Sequence, residues 1–325
     1  MALDIAALQY LYGASDLNAG DTVYDLASAP FQSGFHALWD AGGNNVLDAG
    51  RIERGVLLDL NEGARSDVGA TVFAGGLVGG VATHITYTAT LSIAAGTVIH
   101  DATGTAYDDV LVGNDAANRL AAGAGNDRLE GRGGNDYLTG GLGDDTLSGG
   151  DGVDTAVYHT GRDGFAISRT AGGFTVSGAD AGTDSLAGIE RAWFSDRKVA
   201  LDLDGNAGTA AKILGAVFGA SSVQNGPAVG ICLSLLDGGW SYRDLTQLAI
   251  DVRLGADATN AEVVDLLFSN IGLAPSAAQR EIYVDLLDQG VASQAALGQC
   301  AADTSLNQSQ IDLVGLAATG LEYIV

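Results

Sequence analysis

Proline occurs three times in this chain of 325 residues, methionine once, and cysteine and lysine twice each. Three prolines beside 48 glycines and 47% hydrophobic residues do not describe a disordered linker. Basic side chains are scarce: 15 Lys and Arg stand against 40 Asp and Glu, a formal charge of −25. That balance argues against nucleic acid or an anionic membrane as partner, since both need clustered cations. No apolar run approaches the length of a membrane span. The first sixteen residues lack a basic segment and carry Asp4, unlike a Sec signal peptide. Cys232 and Cys300 are compatible with two buried small hydrophobes or with a disulfide. The only histidines are His36, His84, His100 and His159, and nowhere do they form H-E-x-x-H, the helical pattern that sets two His around zinc. No protease chemistry and no zinc are therefore expected.

What is abundant is glycine, and it is periodic. Read in nines from Gly104, the chain gives GTAYDDVLV, GNDAANRLA, AGAGNDRLE, GRGGNDYLT, GGLGDDTLS and GGDGVDTAV, ending at Val157. Position six holds Asp109, Asn118, Asp127, Asp136, Asp145 and Asp154; position eight holds Leu111, Leu120, Leu129, Leu138, Leu147 and Ala156. Each nonapeptide reads as a six-residue turn and a three-residue strand, so that two complete one coil of a parallel β-roll. Position eight faces inward and the turn glycines supply left-handed backbone. Asp109, Asp127 and Asp145 then line one edge, and Asn118, Asp136 and Asp154 the other.

Like charges on strands about 4.8 Å apart repel by roughly 3 kcal/mol at an effective dielectric near 20. Such rows need a hard cation between turns. Calcium accepts six to eight oxygens in tolerant geometry, whereas magnesium demands a near-octahedral shell. The nonapeptides resemble the RTX (repeats-in-toxin) pattern G-G-x-G-x-D-x-U-x, most closely in the last four. The resemblance implies up to four roll calcium sites, weaker over the first two turns. The ligand set it implies comprises the six position-six residues with Gly123, Gly125, Gly131, Gly133, Gly140, Leu142, Gly149 and Asp151.

Upstream, DIAALQYLYGA (4–14), GDTVYDL (20–26), WDAGGNNVLDAG (39–50) and LDLNEGARSDVG (58–69) resemble the C-terminal domain of serralysin-type metalloproteases. That implies a β-sandwich leading into the roll. It also implies a further calcium site at Asn18, Gly20, Thr22, Asp40, Gly42 and Asn45, weakened because Asn45 stands where the family has Asp.

Downstream, FAISRT (165–170), GFTVSG (173–178) and KVALDL (198–203) alternate as strands, with IERAWFSD (189–196) between them. They are expected to cap the roll, with Trp193 and Phe194 in the capping core. From about Ala207 the pattern turns helical. Ser241 is an expected N-cap, and Thr259–Glu262 and Ser276–Gln279 are expected capping boxes. ILGAVFG…LSLLDGG (213–239) and VVDLLFS…VDLLDQG (263–290) form an internal repeat. The region is similar to the helical domain that ends large RTX proteins, with the family's Gly-Arg-x-Pro-Asp turn degraded. The terminal LEYIV resembles an uncleaved type I secretion signal.

The expected organisation is a mainly β chain. A serralysin-like β region (1–103) leads into the roll (104–157), then a capping segment (158–205) and a helical domain with the secretion signal (206–325). The leading functional reading is a non-enzymatic, calcium-folded protein exported to the extracellular space by a type I ABC transporter. Two alternatives are the folding half of a serralysin-like protease whose catalytic domain is elsewhere, and a surface component touching polysaccharide or a protein partner.

Overall fold

The computed structural model describes residues 18–78, 81–179 and 181–324. The segment 4–14, singled out by resemblance above, lies outside them. The chain divides into two compact units, Met1–Ser195 and Asp196–Val325.

The first unit is built from seventeen described strands. They are β1 (Val23–Asp25), β2 (His36–Leu38), β3 (Val46–Asp48), β4 (Leu57–Asp59), β5 (Arg65–Val78), β6 (Val81–Ile93), β7 (Asp101–Thr103) and β8 (Val110–Val112). There follow β9 (Arg119–Ala124), β10 (Arg128–Gly133), β11 (Tyr137–Leu142), β12 (Thr146–Asp151) and β13 (Thr155–Val157). The last four are β14 (Phe165–Thr170), β15 (Gly173–Gly178), β16 (Gly182–Ala187) and β17 (Arg191–Trp193). One sheet runs β1-β3-β7-β9-β11-β13-β17, the other β14-β15-β16-β12-β10-β8-β4-β5-β6-β2. Successive strands of the repeat alternate between the sheets, the signature of a roll.

Register explains the period. In one sheet Leu58, Leu111, Leu129, Leu147 and Leu186 pair in sequence across parallel strands. In the other, Leu47, Ala102, Leu120, Leu138, Ala156 and Ala192 do the same. All are buried. Each fully buried leucine contributes roughly 1.5–3 kcal/mol, so these two stacks are the main apolar driving force of the roll. The stacks begin before Gly104 and continue past Val157, since β4 and β3 on one side and β16 and β17 on the other join the same ladders.

The strands are longer than the repeat suggests. From β9 to β12 each has six residues, taking in positions one to three of the next nonapeptide. Position two is paired in the ladder: Gly123 with Gly141, and Arg132 with Gly150. The three glycines have φ of 119°, 120° and 118°, and Arg132 is held at φ 79°. A left-handed L-residue costs roughly 1–2 kcal/mol. Arg132→Gly is therefore expected to stabilise the folded protein by about 0.5–1 kcal/mol, the gain being trimmed by glycine's freedom in the unfolded chain. A thermal melt of the folded protein measures this.

Beyond the repeat, β14, β15 and β16 form an antiparallel meander whose last strand pairs in parallel with β12. Phe165 of β14 clusters with Tyr158 and Phe194 at centroid distances of 4.9–5.1 Å, the last two rings stacked on each other. Phe194 is core, as expected, but Trp193 is not: it is 40% exposed. The reason is register. Ala192 pairs with Ala156 and points inward, so strand alternation turns its neighbour Trp193 outward.

The second unit opens with β18 (Lys198–Ala200), which pairs antiparallel with β19 (Leu321–Tyr323). Between them lie α1 (Asn206–Phe218), α2 (Gly226–Asp237), α3 (Tyr242–Leu254), α4 (Asn260–Asn270), α5 (Ala277–Asp288), α6 (Gln294–Ala302), α7 (Ser305–Gln310) and α8 (Leu313–Thr319). Buried Ala207, Ala210, Ala211 and Ala216 let neighbours close around α1. The internal repeat is visible as α1–α2 against α4–α5. In the first copy Asn206 donates to Asp237 at 2.8 Å; in the second Asn260 donates to Asp288 at 2.7 Å. Ser241 caps α3, and both expected capping boxes form. Cys232 is buried, Cys300 exposed, and neither is in a disulfide. Leu321 and Tyr323 of the terminal segment are buried. Among the described residues no helix is long and apolar enough to cross a membrane.

Candidate metal centre

The position-six side chains form two buried ladders. Along one edge the Asp109 N–H donates to Asp127 Oδ1 (2.7 Å), Asp127 N–H to Asp145 Oδ1 (2.9 Å) and Asp145 N–H to Asp184 Oδ1 (3.1 Å). Along the other, Asn118 N–H donates to Asp136 Oδ1 (2.7 Å), Asp136 N–H to Asp154 Oδ1 (2.8 Å) and Asp154 N–H to Glu190 Oε2 (2.9 Å). Each carboxylate thus spends one oxygen on the backbone of the preceding turn.

The other oxygen is what matters chemically. Oδ2 of Asp127, Asp136, Asp145 and Asp154 is buried and has no hydrogen-bond partner. A buried acceptor without a partner costs about 1–3 kcal/mol, and more when charged. Burial raises these acids: Asp127 is pushed up to about 7, helped by the charges of Asp145 and Asp109. Asp136 and Asp154 are pushed up to about 6 by burial, and Asp145 is raised by the same cause.

Glycine at position one completes the arrangement. A Cβ on Gly131, Gly140 or Gly149 would collide with the carboxylate of Asp136, Asp145 or Asp154 of its own repeat. On Gly131 and Gly149 it would also meet the carbonyl oxygens of Gly149 and Gly188. The space left by the missing side chains is lined by oxygen. Among the described residues no three His, Cys, Asp or Glu side chains converge. The donor set is thus one carboxylate oxygen per turn with main-chain carbonyls, which suits a hard cation of high coordination number.

The first two turns differ. Asp109 accepts from Val56 N–H (2.7 Å) and Thr105 N–H (2.6 Å). Asn118 Oδ1 accepts from Asn114 N–H at 2.8 Å, and its amide donates to the His100 carbonyl at 2.9 Å. Both side chains are satisfied by protein alone. Gly123 and Gly125 adopt positive φ against the first turn, where a Cβ would strike Thr105 and Tyr107. Gly133 is unobstructed, whereas Leu142 and Asp151 are exposed at the strand ends.

Sequence reasoning missed two features. Asp184 and Glu190 extend the ladders past the last nonapeptide; the antiparallel meander interrupts the nine-residue repeat before them, and only the parallel pairing of β16 and β17 brings them into line. Asp184 is pushed up to about 7, mainly by burial. A second ladder of opposite sense runs through position five. Asp108 accepts from Asn126 N–H, Asn126 from Asp144 N–H, Asp144 from Thr183 N–H and Asn135 from Val153 N–H, at 2.7–2.9 Å. The Asp and Asn residues at position five were its visible signal.

In the N-terminal region the loops at 18–22 and 40–45 meet, Asn44 N–H donating to Asp21 at 2.8 Å. Asp40 and Asn45 are buried, with Thr22 and Asn18 beside the same cluster. Asp40 Oδ2 accepts from the Tyr24 hydroxyl at 2.5 Å and Oδ1 from Gly42 N–H at 3.0 Å. Burial would raise Asp40, but the Tyr24 and Gly42 hydrogen bonds outweigh it and hold the acid below its ordinary value. Thr22 donates to the Gly20 carbonyl. Asn45 Oδ1 is buried without a partner. Here a hydroxyl already occupies the carboxylate oxygen that the roll leaves open.

A profile of the RTX calcium-binding nonapeptide repeat matches residues 103–138, 122–156 and 130–164, the segment that carries both ladders. These are RTX calcium-binding repeats. Among similar proteins, this chain is 41% identical over 126 residues to Metallopeptidase AprA of Pseudomonas marginalis, covering 35% of this chain and 23% of the relative. It is 38% identical over 128 residues to a serralysin of Photorhabdus laumondii, covering 36% and 23%. With Serralysin G of Dickeya chrysanthemi the identity is 42% over 128 residues, covering 36% and 24%. The chain therefore spans about a quarter of the length of these relatives, and the likeness to them covers about a third of this chain.

Proposed function

We propose that this protein is a non-enzymatic scaffold that is exported by a type I ABC machinery and folds when it meets extracellular calcium. The observation that carries the reading is the set of four buried Oδ2 atoms, on Asp127, Asp145, Asp136 and Asp154, without partners. Calcium between turns would take these oxygens together with main-chain carbonyls, and would neutralise rows that otherwise repel. Four ions are assigned to the roll, two on each edge, with none held by Asp109 or Asn118. The N-terminal loops would hold a fifth, weaker ion, because it must displace the Tyr24 hydroxyl from Asp40.

Where calcium is scarce, repulsion keeps the repeats unfolded and fit for export; outside, sites with dissociation constants on the order of 10⁻⁴–10⁻³ M fill. Ion binding is then folding free energy. Titrating calcium into the chelated protein should produce a large cooperative gain of β-type circular dichroism, with about four ions bound by the roll and a fifth, weaker one by the N-terminal loops in calorimetry. An unchanged spectrum after exhaustive chelation would sink the proposal.

The names of the relatives favour a second reading, in which these repeats serve a metallopeptidase as its folding half. An in-frame H-E-x-x-H encoded upstream of Met1 would replace the scaffold role with that one.

A further inference from the structure

The outer face of the β1-to-β17 sheet carries a feature the ion rows do not use. Arg119 on β9, Tyr137 on β11 and Trp193 on β17 lie in order along the roll axis. The Arg119 guanidinium sits 5.6 Å over the Tyr137 ring, and the rings of Tyr137 and Trp193 are 6.0 Å apart. Register sets this order, because Arg119, Tyr137 and Thr155 pair in turn, and Val157 pairs with Trp193. Tyr137 is 36% exposed and Trp193 40%, with buried Thr155 on the strand between them.

Basic residues number 15 against 40 acids. Arg119, like Arg65, Arg132, Arg243 and Arg253, makes no ion pair among the described residues, and of these five it is the one set over an aromatic ring. The neighbouring carboxylate in its row, Asp101, accepts from the Arg119 backbone N–H at 3.1 Å instead. A cation left without a carboxylate in so acidic a protein, next to two exposed rings, has the chemistry of an acidic ligand with flat apolar faces.

We propose that this strip binds a glycan chain containing uronic acids, the C–H faces of its sugars stacking on Tyr137 and Trp193 and a carboxylate meeting Arg119. Tyr and Trp offer rigid area with a polar edge, and a guanidinium takes a carboxylate in a two-pronged hydrogen bond. A row of partly exposed groups across parallel strands suits an extended polymer. The protein's overall negative charge does not forbid this, because at physiological ionic strength screening confines its reach to about 8 Å. The proposal does not depend on how many ions the roll holds.

The test uses the full chain in calcium, titrated calorimetrically with tetragalacturonate and, as neutral control, cellotetraose. Tetragalacturonate should bind and cellotetraose should bind at least tenfold more weakly. Trp193→Ala and Tyr137→Ala should each weaken tetragalacturonate binding about tenfold. Arg119→Gln, at an exposed position, should abolish the preference for the acidic sugar while leaving circular dichroism and calcium content unchanged. Absence of tetragalacturonate binding, equal binding of the two sugars by the unaltered chain, or an Arg119→Gln variant that keeps the preference would each overturn the assignment.

Discussion

Stripped of calcium, the roll is expected to be more stable at pH 5 than at pH 8, and millimolar calcium is expected to reverse that order. Asp127 and Asp184 are pushed up to about 7, and Asp136 and Asp154 to about 6, all chiefly by burial. In the unfolded chain each would titrate near 3.9. Between those values the folded state holds more protons than the unfolded one, so stability falls as pH rises. The benefit is fully present below about pH 4 and is lost on passing through pH 6 to 7. One pH unit of displacement is worth about 1.4 kcal/mol, so four such groups change the stability by at least several kcal/mol, short of the simple sum because they interact. Calcium needs the same oxygens ionised, and its contribution grows through the same window. From pH 4 to 8 the β-type circular dichroism of the chelated protein should fall as the carboxylates ionise and the roll unfolds, while the thermal midpoint in calcium should rise. A chelated spectrum that does not change over this range would show that the rows are not the source of the instability.

Gly140→Ala should damage the protein about as much as Asp145→Ala, although it removes no ligand side chain. The new Cβ would occupy the space of the Asp145 carboxylate, and something must shift. Overpacking of this kind costs roughly 1–3 kcal/mol by itself, and here it also displaces the acceptor of the Asp127 N–H. The calcium concentration for half-maximal folding should rise at least tenfold, with one ion fewer bound. Asp145→Ala should lose the ion by removing its oxygen. Gly172→Ala is the control, because nothing lies within 4 Å of a Cβ there; its midpoint should stay near that of the unaltered protein. Equal behaviour of Gly140→Ala and Gly172→Ala would remove position one from the site.

Much of the fold is legible because the roll is local and repetitive. Position eight of every nonapeptide must face inward, so the leucine stack can be read directly, and the side chains at position six must fall on alternate edges. The capping boxes at Thr259 and Ser276 and the strands FAISRT and GFTVSG rest on equally short-range rules. The helical repeat is legible for another reason: two copies of one packing solution keep the same Asn–Asp contact, Asn206 with Asp237 and Asn260 with Asp288.

What escaped was long-range. Trp193 follows Ala192 in a strand whose register is set by β13, some 36 residues earlier, and nothing in IERAWFSD says which of its residues turns inward.

The sequence alone determined that there is a roll, which side chains form its core and its acidic rows, and that the cation those rows call for is calcium. Tertiary structure decided where the rows end and which oxygens are left over. Asp184 and Glu190 enter the ladders only through the pairing of β16 and β17, and Asp109 is satisfied only because Val56 and Thr105 reach it. A hydrogen bond between distant segments leaves no periodic trace. Whether a buried carboxylate oxygen has a partner is therefore settled by packing, and that packing separates the four open oxygens from the filled ones.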